Sequence, residues 1–558
     1  MTRFPDRVGE TMDRKTLLAV LLSLIVVIVF QTFFFPKEEP AGTRSRQAVT
    51  DSLGRPFPAS EPSLVSPTEG SVPRTEIPVS SATGWSGAET ETEMVVETGI
   101  YTAIFTNRGG MLRSFKLKGF ADPVGQPVEI VLGPREVGLV IEGRSDSGDL
   151  DNTLFAGRQE SLGDGRTRIV FEASNGAAGT IRKVFTLDPD EYLLELDIEL
   201  SGLDAEGYRI TWNGGIPRGE KLEKSYEQAA GTIVLLGKNK ETIRPKEFKK
   251  VSSKEVTGNV RWAGVRNKYF MAVMIPPEDT SSRVIAVGDH EAKITGAQIV
   301  MPMRQGKAQH GFLLYVGPME YNRLKGLGHN LDAAVDLGWK VFRPVSKLLL
   351  ASMVFIHKFV PNYGVVIILI SLLTKLIFYP LTRTSMKSMR AMQKVQPEIT
   401  ALREKYKKDP QKLQAATMEM YKKHKVNPVG GCLPMLVQMP VFIGLYQVLA
   451  NDIAVRNAPF VWWINDLSSP DVIFSIGSFP IHVVPIILFI FTALQTLLTP
   501  QGDPRQKMMG YMMPLVTLFI FYSFPAGLAL YWTVNSILTV AQQWMIHRED
   551  PTHKPAAA

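Results

Sequence analysis

Apolar residues are concentrated in blocks, and this uneven distribution constrains the fold more than any average does. The first block, 16–35, reads TLLAVLLSLIVVIVFQTFFF and carries no charge. As a helix it would be about 30 Å long, which is enough to cross a bilayer. Five further apolar segments lie close together in the last third of the chain: 365–381, 433–450, 481–498, 511–524 and 526–546. The pattern predicts a polytopic α-helical membrane protein with six transmembrane helices, five of which form a compact core.

The residues before the first block indicate its orientation. Arg14 and Lys15 immediately precede it, so its N-terminus is expected to stay in the cytoplasm. A cleavable signal peptide is the alternative, but the apolar run is long and no small-x-small site closes it. Residues 1–35 are therefore interpreted as a cytoplasmic segment and a retained anchor, with either Met1 or Met12 as the start.

The charges of the loops predict the remaining topology. Residues 382–429 contain 12 Lys or Arg against 4 Asp or Glu, whereas 451–480 contain one arginine and three aspartates. Because basic loops stay inside, 383–429, 499–508 and the short tail 549–558 are expected in the cytoplasm. The four basic residues in 340–358 would instead favour a cytoplasmic location for this segment, but they carry less weight in the topology prediction if they belong to an interfacial helix. Both termini are then cytoplasmic, and the region between the first two spans lies outside.

The outer region divides into a tether and a β domain. Residues 36–90 are rich in Pro, Ser, Thr, Gly and Glu without a hydrophobic period, which is typical of a flexible tether. Residues 91–320 contain short alternating runs such as LELDIEL (194–200), TRIVFEA (167–173) and YTAIFT (101–106). They predict a large antiparallel β-sandwich. Its strands show no clustered polar site, and the tether suggests that the domain moves freely.

Helical periodicity takes over in 321–361. A single apolar face is predicted for the helix 337–360, with basic residues elsewhere; the face comprises Phe342, Val345, Leu348, Leu349, Phe355 and Phe359. This pattern favours an amphipathic helix lying on the membrane surface. The alternative is a helix packed on the β domain.

The sequence contains none of the common catalytic or nucleotide-binding motifs. There is no P-loop, no HExxH, no GxSxG and no pair of intramembrane aspartates. The eight histidines are scattered, and the single cysteine, Cys432, lies beside a membrane segment, where a packing role is expected. The sequence thus predicts neither an enzyme nor a metal or cofactor site. The net charge of +8 is modest and clusters beside the spans, so no nucleic-acid site is evident.

Polar residues inside the predicted spans are more informative. Lys375 lies in the middle of the segment 362–382, where a charge costs roughly 2.5–3.5 kcal/mol on insertion scales. Ser371, Lys375 and Tyr379 share one helix face at i, i+4 and i+8. The segments within 430–548 add four more polar or amphipathic candidates, Gln438, Tyr531, Trp532 and Asn535. A water-filled intramembrane groove is expected, the alternative being a lysine that snorkels toward the interface.

The basic stretch 383–429 has a helical pattern of its own. Met392, Val395, Ile399, Leu402 and Tyr406 recur at the spacing of a coiled-coil seam. KKDPQK (407–412) is expected to reverse the chain into a second helix that ends before VNPVGG. A helical hairpin is predicted, with mostly solvated charge.

Four motifs together resemble a known family. YPLT (379–382), VNPVGGCLPMLVQMPVFIGLY (426–446), APFVWWINDLS (458–468) and FPAGLALYW (524–532) are similar to those of the YidC membrane protein insertases of Gram-negative bacteria. The order of anchor, tether, β domain ending in YVGPMEY and five-helix core matches over nearly the whole chain. The family normally carries an arginine at the position of Lys375, so the charge is retained here without the guanidinium fork.

The resemblance implies a function and partners. It implies insertion, folding and assembly of newly synthesised proteins in the bacterial inner membrane, alone or with the Sec translocon. It also implies a periplasmic β-supersandwich and a hydrophilic groove carrying a positive charge, with Lys375, Ser371 and Gln438 at groove positions. Nascent membrane proteins, ribosome or targeting factors at the hairpin, and membrane lipids are the expected partners. The tail lacks a long basic extension, so a ribosome contact through it is not expected.

Two other functions fit parts of the pattern. A secondary transporter or channel would use Lys375 as a substrate or proton site, but no inverted repeat or broken midplane helix is visible. A non-inserting scaffold would only chaperone helices released by the Sec channel. Ion conductance or insertion by the purified, reconstituted protein would distinguish these functions.

Overall fold

The computed structural model describes residues 85–133, 136–142, 150–176, 179–217, 228–278, 282–426, 433–477, 479–498 and 504–548. The predicted anchor 16–35, most of the predicted tether, Cys432 and the tail 549–558 lie outside the described residues.

The first part of the described chain is built from strands. In chain order they are β1 (Glu93–Glu97), β2 (Tyr101–Thr106), β3 (Met111–Ala121), β4 (Pro127–Glu129), β5 (Gly138–Glu142), β6 (Ala156–Ser161), β7 (Thr167–Ser174), β8 (Thr180–Leu187), β9 (Leu193–Ser201), β10 (Gly207–Trp212), β11 (Gly231–Leu236), β12 (Asn239–Ile243), β13 (Ser253–Val256), β14 (Val260–Arg266), β15 (Phe270–Ile275), β16 (Arg283–Asp289), β17 (Ile294–Pro302) and β18 (Ala308–Pro318). They form antiparallel sheets in the orders β1-β2-β3-β4, β13-β16-β17-β10-β5 and β12-β11-β14-β15-β18-β9-β8-β7-β6.

The nine-stranded sheet follows from alternation in the sequence. In β9 the four apolar residues Leu194, Leu196, Ile198 and Leu200 are buried, whereas Glu195 and Asp197 are exposed, as the sequence predicts. Burying one face of each strand fixes its register, because a slip of one residue would expose the whole apolar set. The predicted strands at 101–106 and 167–173 are confirmed as β2 and β7.

Both smaller sheets pack on this large sheet. The ring of Phe105 on β2 lies 4.9 Å from that of Phe185 on β8. Strand β17 of the five-stranded sheet contacts β14 and β11. Trp212, Trp262 and Tyr208 are fully buried in these layers. The result is a sandwich of sheets, which is the sheet-rich architecture expected from the sequence.

The packed structure begins before the expected end of the tether. Trp85 is buried, Ser86 forms an antiparallel bridge with Ser174, and the Gly87 N–H donates to the Leu154 carbonyl at 2.8 Å. The expected boundary at residue 90 therefore lies too late, because composition does not reveal that these polar residues add to a sheet edge.

Helices make up the rest of the chain. They are α1 (Tyr321–Leu327), α2 (Arg343–His357), α3 (Tyr363–Lys405), α4 (Pro410–Lys423), α5 (Leu433–Asn451), α6 (Val483–Leu498), α7 (Pro504–Phe521) and α8 (Ala526–Arg548). A short hairpin, β19 (Phe474–Ile476) and β20 (Phe479–Ile481), precedes α6. All five apolar segments of the last third are helical, and α8 packs against α3, α5 and α6.

Helix α3 corrects one expected boundary. The segment 362–382 and the first arm of the hairpin form one continuous helix of 43 residues, although Pro380 and Pro397 lie inside it. Thr384 donates its hydroxyl hydrogen to the Pro380 carbonyl at 3.0 Å. The change from apolar to charged residues therefore falls inside α3 and does not mark the end of the helix.

The length of α3 also distinguishes it from the other helices. Among the described residues, α3 is the one helix that is long and apolar enough to cross a membrane by length and composition. The helix α6 and the part Gly510–Phe521 of α7 are apolar but shorter.

Helix α2 differs from the expected single apolar face. Leu349, Leu350 and Met353 are buried, and Leu349 reaches Gly444 of α5, whereas Leu348 and Phe355 are exposed. The helix thus has one apolar face toward the helical core and a second one away from the protein. It begins at Arg343, later than the expected 337, and it contacts α5 and α3 instead of packing on the β domain alone.

The charged hairpin forms as predicted. Tyr406 ends α3 and Asp409 caps α4, accepting a hydrogen bond from the Lys412 N–H at 3.1 Å. Val395 and Ile399 of the seam are buried together with Val426, which follows α4. Met392 and Met420 pack against this cluster from the two arms.

The β domain contacts the helical core directly. Arg456, which follows α5, is buried, and its Nη2 donates to the Ala121 carbonyl at the end of β3 at 2.8 Å. Its guanidinium lies 5.5 Å from the ring centroid of Phe270. Lys240 of β12 donates to the Ala334 carbonyl, between α1 and α2. These contacts are not expected from the tether, which suggests a domain with positional freedom; that freedom stays a prediction.

Candidate functional site

Helices α3 and α8 bring the candidate charge to a defined partner. The Nζ of Lys375, half-buried on α3, donates to the Thr539 hydroxyl of α8 at 2.7 Å. Thr539 in turn donates to the Asn535 carbonyl one helical turn earlier at 2.6 Å. The lysine is therefore held against α8 and does not extend along its own helix.

Asn535 connects α8 to α5. The Nε2 of Gln438 donates to the Asn535 Oδ1 at 3.3 Å, and the Asn535 Nδ2 donates to the Tyr531 carbonyl at 3.0 Å. Asn535 and Tyr531 are buried, whereas Gln438 is half-buried. Four of the predicted residues, Lys375, Gln438, Tyr531 and Asn535, thus lie on three helices joined by polar contacts through Asn535 and Thr539. We call this set, with Thr539, the polar seam.

Two residues of the predicted α3 face occupy different environments. Ser371 is fully buried and donates its hydroxyl hydrogen to the Ile367 carbonyl at 2.8 Å within its own helix. Tyr379 is exposed, with 37% of its surface accessible. Ser371 therefore has a satisfied hydroxyl inside its own helix, and Tyr379, two turns away from it, is exposed.

Trp532 belongs to an aromatic cluster. Its ring lies 4.8 Å from that of Phe442 on α5, edge to face, and 5.5 Å from that of Phe521 at the end of α7. These contacts pack α8 against its neighbours and place the tryptophan among apolar rings. Its predicted role in contacting a client stays a prediction.

Sequence reasoning did not identify Thr539. The signal was available, because Tyr531, Asn535, Thr539 and Gln542 follow one another at helical spacing along one face of α8. Gln542 is buried as well. Threonine attracts less notice in an apolar segment than lysine or asparagine, since its hydroxyl often bonds to its own helix.

The charge environment of Lys375 decides what the site can bind. Among the described residues no carboxylate lies within ion-pair distance of its Nζ, which donates a hydrogen bond to a neutral hydroxyl. An ammonium group has three donors, so Lys375 keeps capacity for an added acceptor. No group of three metal-ligating side chains occurs within the described ranges. The seam is thus suited to hold an anionic or polar group by hydrogen bonds.

Two family models match consecutive parts of the chain. The family described as the YidC periplasmic domain matches residues 93–350, and the one described as the 60Kd inner membrane protein matches residues 355–553. The division between them falls within α2.

Full-length relatives agree with this match. The membrane protein insertase YidC of Syntrophus aciditrophicus is 34% identical over 96% of this chain and 100% of its own length. That of Pelobacter propionicus is 34% identical over 96% of this chain and 99% of its own. A crystal structure of an active YidC insertase with its first transmembrane domain resolved is 20% identical, covers 94% of this chain and 98% of its own, and gives a TM-score of 0.34. On the evidence of the sequence relatives, the chain belongs to the YidC family of membrane protein insertases.

Proposed function

We propose that this chain inserts newly made membrane proteins by offering the polar seam to the part of a client that must cross the bilayer. One observation carries the proposal: Lys375 lies in an apolar stretch of α3, and its Nζ donates a hydrogen bond to the neutral hydroxyl of Thr539. A resident carboxylate would already neutralise the lysine. A hydroxyl leaves the positive charge available.

The exchange of partners favours an acidic client. An ammonium attracts a carboxylate, which carries a full negative charge, more strongly than it attracts a hydroxyl oxygen, which carries only a partial one, and the difference is larger where the effective dielectric constant is low. An aspartate or glutamate of the client can therefore replace the Thr539 hydroxyl at Lys375. Polar client groups can use Gln438 and Asn535 in the same way, and each contact shortens the apolar barrier that the segment crosses.

The driving force need not come from a nucleotide. Burying a client helix in lipid releases about 0.8 kcal/mol for each CH₂ group. A membrane potential of 100 mV adds about 2.3 kcal/mol for each negative charge moved outward. These terms act on the client, so the insertase has only to lower the barrier.

We further propose six membrane spans, with both termini in the cytoplasm and the β domain in the periplasm of a bacterial inner membrane. The spans would be the segment 16–35, the apolar part of α3, and α5 to α8. The excess of basic residues in 382–429 over 451–480 supports this arrangement. Short helices such as α6 are accommodated when the bilayer thins around them.

This topology is tested with single cysteines in a Cys432→Ser background. Pro410→Cys and Gly502→Cys should react with a membrane-impermeant reagent only from the cytoplasmic side, and Asn465→Cys only from outside. Labelling of Pro410→Cys from the periplasm would overturn the arrangement.

The partners follow from the same placement. We propose that the hairpin of α3 and α4 contacts the ribosome, targeting factors or the arriving client, since it is folded and strongly basic. Cooperation with the Sec translocon and contacts with membrane lipids complete the expected set. A photo-crosslinker at Lys408, near the tip, should capture one of these proteins during synthesis of a client.

The function itself is tested by reconstitution without Sec components and with clients that differ only in acidic residues. Lys375→Arg should retain insertion, because arginine keeps the charge. Lys375→Ala should lower insertion of acidic clients about tenfold, the loss of one charge-assisted contact, and Lys375→Glu should lower it further. Clients with short, uncharged translocated segments should be affected least.

A snorkelling lysine would give a different result. It predicts equal effects on every client, together with less folded protein. Equal insertion of all clients by Lys375→Ala and the parent, at matched protein level, would rule out Lys375 as a docking charge.

A further inference from the structure

A small cavity lies where the β domain meets helix α2. It has a volume of about 150 Å³ and is lined by the turn between β11 and β12, by the chain between α1 and α2, and by α2 itself. Three cations line it, Lys238 from the turn and Arg343 and Lys347 from α2. Asp332 is the one carboxylate among its lining residues. The volume exceeds that needed for one water several-fold, so a phosphate-sized group fits.

The three cations are available. Among the described residues no carboxylate lies within ion-pair distance of any of them. Lys347 has its Nζ 5.2 Å from the ring centroid of Tyr321, a contact that orients the ammonium without neutralising it. All three side chains are exposed at the rim. A ligand reaching the cavity therefore meets three cations against one carboxylate, an excess of positive charge.

More positive charge lies behind the cavity. Lys240 and the buried Arg266 both donate to the Ala334 carbonyl, at 3.3 Å and 2.9 Å. Burial, together with repulsion from Arg266, Arg343 and Arg244, lowers the pKa of Lys240 to about 8, although Asp336 opposes this. Two cations thus share one carbonyl oxygen, and an anion nearby would relieve their repulsion.

An apolar surface runs away from the same cavity. Next to Lys347, helix α2 and the turn that follows it expose a stripe with i, i+4, i+7, i+11 and i+15 spacing that no described element covers: Pro344, Leu348, Ala351, Phe355 and Phe359. Leu348, Phe355 and Phe359 have 68%, 62% and 72% of their surface accessible, and Trp339 has 62%. A cationic cavity continuous with an exposed aliphatic and aromatic stripe matches a molecule with an anionic head and apolar chains.

We propose that this cavity binds the phosphate headgroup of an anionic phospholipid from the periplasmic leaflet, with the acyl chains along the exposed stripe of α2. The lipid site rests on the proposed function in one respect: it requires α2 to lie at the periplasmic surface of the inner membrane. The bound lipid joins the β domain, through Lys238, to the helical core, through α2. Positive charge near a membrane surface attracts anionic lipid additively, so several cations at one headgroup give selectivity over zwitterionic lipids.

The test measures the affinity of lipids for the purified full-length protein in detergent, with native mass spectrometry as the readout. Phosphatidylglycerol should bind saturably with one high-affinity site, about tenfold tighter than phosphatidylethanolamine. The variant Lys238→Gln/Arg343→Gln/Lys347→Gln should lose about tenfold or more in that affinity. The control Lys246→Gln/Lys249→Gln/Lys250→Gln removes the same charge from exposed positions of the β domain and should bind like the parent.

Lys347→Gln alone should weaken binding several-fold without changing the melting temperature, which separates lost binding from lost folding. Equal binding by the triple variant and its control would overturn the site. So would displacement of the lipid by an equal concentration of inorganic phosphate, which would indicate a site for free anions. Insertion by Lys375 variants is independent of this affinity, so failure of the proposed function and failure of the lipid site give different results.

Discussion

The β domain and the helical core each contain a lysine that is at least half-buried, and the two lysines have opposite hydrogen-bonding environments. Lys183 of β8 is 1% exposed, and its Nζ donates to three backbone carbonyls, those of Gly109, Gly110 and Val137, at 2.9, 3.2 and 3.3 Å. Lys375 of α3 is half-buried and donates to one hydroxyl. The first ammonium has all three donors used, whereas the second has capacity left.

The difference separates a structural charge from a functional one. Lys183 joins β8 to the turn before β3 and to the chain before β5, so it fastens the sheets to one another. Its burial is tolerated because every donor is satisfied. Burial of Lys375 beside only one acceptor is tolerated if water or a client supplies acceptors for its other two donors. A buried lysine is thus better classified by its unused donors than by its depth.

The largest effect is expected at Lys183. Lys183→Met should leave three buried carbonyls without a donor and destabilise the β domain by about 3 kcal/mol or more. Hydrogen exchange of the full-length protein should show faster exchange across β8, β3 and β5. Lys375→Met, the matched change, should leave that exchange unchanged and lower insertion of acidic clients. If Lys183→Met showed the same hydrogen exchange as the parent, Lys183 would not be a structural charge and its contrast with Lys375 would fail.

A second buried charge in the β domain should make its stability depend on pH. Burial raises the pKa of Glu136 to about 7, although the Asn213 and Gly214 N–H groups, both at 2.7 Å, oppose this. Between the ordinary pKa, about 4.5, and 7, the folded state binds more protons than the unfolded state. The free energy of unfolding should therefore fall as pH rises through this window, by up to about 3 kcal/mol.

Denaturant unfolding of the β domain, followed between pH 4.5 and 7.5, measures this slope. Glu136→Gln cannot titrate and should flatten it, whereas Glu278→Gln, at an exposed residue, should not. An unchanged slope in Glu136→Gln would contradict the assignment.

In the helical core, an added carboxylate should imitate a bound client. Thr539→Asp places an acid beside Lys375 and should lower insertion of acidic clients about tenfold, as Lys375→Ala does, because the charge is already paired. Thr539→Asn is polar and neutral, so its insertion should stay within about threefold of the parent. Reconstituted insertion at matched protein level is the measurement. Parental activity in Thr539→Asp would show that clients do not need a free Lys375.

The smallest effect is expected where the two regions meet. Arg456→Ala removes the hydrogen bond to the Ala121 carbonyl and the contact with Phe270, together about 1–2 kcal/mol. Amide hydrogen exchange should become faster at the end of β3 and in residues 267–270. Insertion of clients should stay within about twofold of the parent. Arg261→Ala, which breaks an exposed ion pair with Glu278, is the control and should change neither. Loss of insertion would mean that docking of the β domain is required.

Periodicity in the sequence determined the elements of both regions. Alternation of apolar and polar residues specifies β9, since one face must be buried, and the seam containing Val395 and Ile399 specifies the hairpin. The apolar segments located α5 to α8, and the isolated charge pointed to Lys375. These features are local, because they depend on neighbours one or two turns away along the chain.

Only the tertiary structure decided which groups meet. Thr539 is 164 residues from Lys375, and Ala121 is 335 residues from Arg456, so no local pattern pairs them. Lys183 carries no sign of burial in its own strand; three carbonyls from distant turns make its burial possible. Periodicity specifies which face of an element is buried, but the packing of the whole chain determines what that face contacts, and hence whether a buried charge is satisfied or available.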